Sequence, residues 1–239
     1  MVALPYCTDP DRLEQAGRIA TAELAHAGIA MQQIAQAMQI LASPSRVLHG
    51  YWAPTGQPPT GIVAAVGPDD RGVLATRDQQ VVRLRPIHGD DLAGAIYYTL
   101  PLLHRQACPA PYIRLPWAGY QRLVHPDGDT DEEPVTTVLV PVHRSRRATG
   151  AAEQMAELLH TPRRGTAQIY AGRRDRYGRR VESQHPMAII DTADNVWIIA
   201  PQIERGLRWM VATPATPAAI RRVLASLLDD LMSTEGSRL

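Results

Sequence analysis

Two stretches of this chain run through the same order of signals, and their internal connections are too short for parallel pairing. One helical segment closes at Leu41-Ala42-Ser43-Pro44-Ser45-Arg46, and another closes at Leu159-His160-Thr161-Pro162-Arg163-Arg164. Short strand-like runs follow each. Both sets end in an apolar helix, Asp90-Asp91-Leu92 to Leu103 in the first and Pro217 to Leu231 in the second. In the first set the runs Arg46 to Ala53, Ile62 to Val66, Val73 to Thr76 and Val81 to Leu84 are separated by Pro/Gly/Asp-rich turns. A parallel crossover takes a dozen residues or more, so an antiparallel meander is expected. The halves are about 29–105 and 149–232. Pro44 aligns with Pro162 and Pro86 with Pro214, which makes the second copy about ten residues longer between those marks. Proline after a helix is common in any case, so the alignment has a chance explanation as well as a duplication. The expected fold is α+β, a single domain. Its central antiparallel sheet is built from two pseudo-symmetric helix–strands–helix halves, with helices packed on the sheet.

The remaining elements follow from local chemistry. Asp9-Pro10 opens a helix that Gly28 stops. A second runs from Met31 to Ala42 with Ile34, Met38 and Leu41 on one face. Ala107 to Pro116 is a proline-rich connection, and Trp117 to Val124 is a short helix. An acidic, flexible loop is expected at about 125–134, with Pro134 to Pro141 extended beyond it. In the second copy a helix spans Ala151 to Leu159, with Met155, Leu158 and Leu159 inward. Strands are expected at Thr166 to Ala171, Val181 to Thr192, Val196 to Ala200 and Leu207 to Ala212. Thr216 caps the last helix, with Pro217 at its first position. Ile220, Val223, Leu224, Leu227, Leu228 and Leu231 form its apolar stripe.

With 45% apolar residues in 239, the chain can bury a sizeable core. Its formal charge is +1, so no global field recruits nucleic acid or an anionic membrane. Every basic residue is arginine, and lysine and phenylalanine are absent, a bias that fits a GC-rich, actinobacterial-type genome. Cys7 and Cys108 form no metal or redox motif, as expected of thiols in a reducing compartment. The first residues carry no signal-peptide pattern, and no 18-residue apolar run could span a bilayer. A cytoplasmic protein is expected.

No phosphate-cradling loop, nucleophile elbow or zinc-ligand spacing can be read, so neither cofactor nor metal is implied. Glu23 and His26 are three apart on a helix without a second such pair, and read as a surface pair. His143 is equally bland. Asp90-Asp91 suits a positive helix end, and Asp191-Thr192 suits a turn. One cluster stands out: Arg163, Arg164, Arg173, Arg174, Arg176, Arg179 and Arg180, opposed by Asp175 and Glu182. It reads as a solvated hairpin, as a surface for an acidic protein partner, or, with Tyr170 and Tyr177 to stack bases, as a nucleic-acid site. Of the large aromatics Tyr51, Trp52, Trp117, Tyr120, Trp197 and Trp209, most belong in the core. Any facing outward would suit protein recognition.

The stretch Arg164-Gly165-Thr166-Ala167-Gln168, through Ile189-Ile190-Asp191-Thr192, to Trp209-Met210-Val211-Ala212-Thr213-Pro214 resembles the EspG family of cytosolic ESX (type VII) secretion-associated proteins. Val81-Val82-Arg83-Leu84-Arg85-Pro86 and the helix after it agree more loosely. The resemblance implies a non-enzymatic chaperone without cofactors. Such a chaperone binds PPE proteins, in PE–PPE heterodimers or similar helical hairpins, through its sheet and later helices. It would not insert in a membrane or need nucleic acid, and could form a weak homodimer. Partner-binding residues expected on this chain are Arg173, Arg174, Arg176, Tyr177 and Arg179 on the hairpin, with Trp117 and Tyr120. The alternative is a nucleic-acid accessory protein binding through Arg163 to Arg180.

Overall fold

A computed structural model describes residues 31–79, 81–102, 112–124, 146–175 and 177–233. The expectations for the first helix, the two cysteines, the acidic loop, Pro134 to Pro141, His143 and Arg176 lie outside these residues.

Short turns after α1 (Met31–Ala42) give a meander of β1 (Arg46–Pro54), β2 (Thr60–Val66), β3 (Arg71–Asp78) and β4 (Val81–His88). Then come α2 (Leu92–Thr99), β5 (Ile113–Pro116) and α3 (Trp117–Val124). The later part holds α4 (Arg146–His160), β6 (Arg163–Arg174), β7 (Arg180–Glu182), β8 (Met187–Thr192), β9 (Val196–Glu204), β10 (Leu207–Pro214) and α5 (Pro217–Ser233). All pairings are antiparallel, as the short connections require. One sheet results, in the order β4-β3-β2-β1-β6-β8-β9-β10-β5, with β7 beside β6. The two meanders meet where β1 pairs with β6, from Arg46 opposite Arg173 to Pro54 opposite Gly165.

Alternation along the strands assigns each side chain to a face. On the first face Leu48, Trp52, Ile62, Ala64, Ala167, Ile169, Ile189 and Ile198 pack beneath α2 and α5, in the main core. The second face carries two smaller cores. Ile190, Ile199, Met210 and Ala212 lie under α3 and α4, with Met155 and Leu158. Val47, Ala65 and Val73 lie under α1, whose deepest described residue is Ile40. Met38, expected inward, is 51% exposed, because the helix rests on the sheet through Ala37, Ile40 and Leu41.

Several boundaries move for local reasons. α2 stops at Thr99 rather than Leu103: Pro101 forces Leu100 into an extended conformation, φ −72° and ψ 135°. The run expected as one strand over Val181 to Thr192 breaks into β7 and β8 ahead of Pro186, and Ser183 bonds back to Ala171 through both N and Oγ. β5, four residues inside a supposed connection, is held by β10 and buries Ile113 and Leu115 while Arg114 and Pro116 stay at least partly exposed. At α5, Thr216 Oγ1 accepts from Ala219 N–H at 3.1 Å, the expected cap. Asp91 precedes α2 without a capping side-chain bond. Thr192 exchanges hydrogen bonds with Asn195 and closes the turn between β8 and β9.

Candidate docking face

The arginine cluster is taken apart by the fold. Arg163 Nη2 donates to the Leu159 carbonyl at 2.7 Å, at the end of α4. Arg173 Nε donates to the Leu231 carbonyl of α5 at 2.9 Å. Arg174 Nη2 reaches the Ala42 carbonyl, the last of α1, at 3.4 Å, and its Nη1 donates to Gly178 O at 2.7 Å. The two ends of one strand therefore satisfy C-terminal carbonyls of three helices, where a cation also meets the negative end of the helix dipole. Arg173 is only 7% exposed, so it is a packing residue of α5 rather than a surface contact. Arg180 pairs with Glu182. With its cations spread over helix ends and carboxylates, the segment does not present the continuous basic groove that strand-tracking of nucleic acid needs, and that reading is set aside.

At the tip between β6 and β7, Asp175 Oδ1 accepts from Tyr177 N–H and Arg179 N–H, both at 2.8 Å. Gly178 turns the chain at φ +75°. Tyr177 is 69% exposed, with the Arg179 guanidinium 5.9 Å from its ring centre. Trp117 and Tyr120 sit elsewhere, half-buried on α3 with ring centres 5.9 Å apart. The segment joining β7 to β8 connects the two groups: His185 lies 4.4 Å from Trp117, and Arg208 bonds His185 and overlies the same indole. Burial lifts the Tyr120 phenol above its ordinary value, with nearby Arg163 opposing the shift.

Between α1 on one side and α3 and α4 on the other, no described element packs over the middle of the second face of the sheet. Its β1 row is Val47, His49 and Tyr51; registered beside it are Val63 and Gly61 on β2, Ala75 and Arg77 on β3, and Tyr170 and Gln168 on β6. The His49 ring stacks on Tyr170 at 5.7 Å, and its Nε2 is 2.8 Å from Glu182 Oε1. Next to α1 a hollow of about 470 Å³ is bounded by Leu41, Pro44, Val47, Val63, Arg174 and Arg180. It continues into one of about 410 Å³ over Gly61, with Tyr51, Tyr170, Arg77 and Val82 around it. The two share His49, Val63 and Ala75, so they form one trough. A third hollow of about 610 Å³ lies on the other flank of α1, against Val73, Leu84 and Pro86. Of the residues expected to bind a partner, Arg173 and Arg174 border this trough, Arg173 with its side chain buried toward α5. His49, Gly61 and the apolar floor were not singled out in the sequence. Their signal was the alternation of Val47, His49 and Tyr51, which a small sheet-facing helix could equally have covered.

Among the described residues no group of three or more His, Cys, Asp or Glu could hold a metal, and no helix is long and apolar enough to cross a membrane. An α+β scaffold whose described helices frame a sheet face, apolar at the floor and charged at the margin, has the layout of a docking scaffold. The chain belongs to the EspG family, whose family model (ESX-1 EspG) matches residues 2–226. Its fold is similar to that of a Mycobacterium tuberculosis protein solved as the type VII secretion system chaperone EspG5 in complex with a PE25–PPE41 dimer. The TM-score is 0.64 at 15% identity, covering 88% of this chain and 84% of that one. No curated protein sequence matches it.

Proposed function

We propose that this protein is a non-catalytic, cytoplasmic chaperone of a type VII secretion system. It binds a PE–PPE heterodimer on the open sheet face and keeps it soluble for export. The observation that carries this reading is the trough that no described element covers, with its apolar floor of Val63 and Ala75 and aromatic wall of Tyr51 and Tyr170. Membership of the EspG family and a fold like that of a chaperone captured with PE25–PPE41 support it. A helical tip laid into the trough would remove its own apolar residues from water, the main source of affinity, while charged margins set orientation. The chain acts as one unit, and its two meanders, joined at β1 and β6, stand as descendants of an internal duplication. Co-expression with PE–PPE pairs from a genome that encodes the chain tests the function: a cognate pair becomes soluble and co-purifies. If every pair stays insoluble and none is retained, the chaperone reading is wrong.

A further inference from the structure

Glu182 stands at the margin of the trough between two cationic or proton-donating side chains. Its Oε1 lies 2.5 Å from Arg180 Nη2 and 2.8 Å from His49 Nε2, and 43% of its side chain remains exposed. Arg180 is itself 64% exposed. Arg174 lies opposite Arg180 in the β6–β7 register, on the same face. Arg180 thus holds the one carboxylate, with the Arg174 guanidinium beside it held, among the described residues, only by the Gly178 and Ala42 carbonyls, next to a floor of Val63 and Ala75. An apolar segment alone would fill the floor and leave this surplus cation at its rim. A segment that also carries a carboxylate would match both.

Resting on the chaperone reading above, we propose that this margin selects among substrates. The preferred PPE tip presents an Asp or Glu beside its apolar docking residues. That carboxylate takes Arg180 over from Glu182, with Arg174 as a second cation, so Glu182 is an internal competitor that a cognate substrate displaces. In the free protein the Arg180–Glu182 pair is solvated and weak. Once a substrate covers the trough, water and salt are excluded and the choice of carboxylate matters more.

Both residues are exposed, so variants at them keep the fold, which an unchanged melting curve verifies. The test measures the dissociation constant of purified chain for PE–PPE heterodimers whose PPE tips do or do not carry an acid beside the apolar residues. Acid-bearing tips bind more tightly. Arg180→Gln weakens them roughly tenfold and removes most of the preference, while Glu182→Gln tightens them about threefold. Arg180→Glu, paired with an acid-to-Arg change in the tip, recovers binding. If Arg180→Gln and Glu182→Gln both leave a tight wild-type complex within twofold, or Glu182→Gln weakens it, the selection mechanism is wrong and the chaperone reading stands. If the variants change only self-association, the margin is a contact between copies and the proposal fails. If the wild-type chain binds no heterodimer, both readings fall together.

Discussion

Gly50 lies in the middle of β1, paired with Ile169 of β6 at the seam that joins the two meanders. A Cβ built on it would sit 1.8 Å from the Gln168 carbonyl oxygen and 2.8 Å from the carbonyl carbon. Real contacts stop near 3.0 Å, so Gly50→Ala needs a backbone displacement of about 1.2 Å. No flexible side chain is there to yield. The strands can separate only by losing one or two ladder hydrogen bonds, at about 0.5–1.5 kcal/mol each. Overpacking strain adds about 1–3 kcal/mol. The expected loss is about 2–4 kcal/mol, or roughly 5–15 °C in Tm for a domain of this size. The matched control is Gly61→Ala, on the neighbouring strand, where the added carbon would meet nothing nearer than Arg77 Cβ at 3.7 Å. Calorimetry or thermal circular dichroism should separate the two variants clearly. A Gly50→Ala protein melting within about 2 °C of wild type, or a Gly61→Ala protein falling as far, would refute the claim that the seam depends on an absent side chain.

Gly61→Leu should fill the trough from its floor. Tm should change by less than about 3 °C while PE–PPE retention in a pull-down drops at least about tenfold; undiminished retention would place docking elsewhere. Arg173→Met keeps the aliphatic stem but removes the donor to the Leu231 carbonyl, so stability in urea should fall by about 2–3 kcal/mol, and a loss under about 0.5 kcal/mol would mean that α5 is not held there. Tyr120 has its phenol raised above the ordinary 10.0. The unfolded chain therefore ionises first, and the stability this residue contributes is complete below pH 10 and lost as pH rises through the folded value. Tyr120→Phe should flatten the fall of Tm between about pH 9 and 11; parallel curves for the two proteins would exclude that burial effect.

The antiparallel character of the sheet could be read from the chain because turn length decides it. Short polar connections such as 67–72 and 77–80 permit nothing else, and every pairing in the structure agrees. Helix α5 was equally legible, since its cap, first proline and stripe all lie within one segment. β5 was not. Four residues among prolines carry little local signal, and Ile113 and Leu115 become a strand only because β10 offers them an edge. How the arginine cluster is divided was hidden for a related reason. Its count was visible, but the carbonyls of Leu159, Leu231 and Ala42 that take up its charges come from three separate parts of the chain. Met38 shows the same limit at smaller scale: helical spacing named a face, and the sheet chose a neighbouring one.

The fate of those arginines bears on how the docking face is built. β6 holds α4 at its first residue and α5 and α1 at its last two, through the bonds of Arg163, Arg173 and Arg174. At about 3.3 Å per residue, these anchor points are separated by roughly 36 Å. Two of the helices, α1 and α4, border the open face, and the third covers the opposite one. A strand that runs beneath the strip therefore holds one end of each bordering helix. Such an arrangement fixes the helix ends while no described helix lies over His49, Tyr51, Gly61 and Tyr170, the surface on which the proposed docking depends.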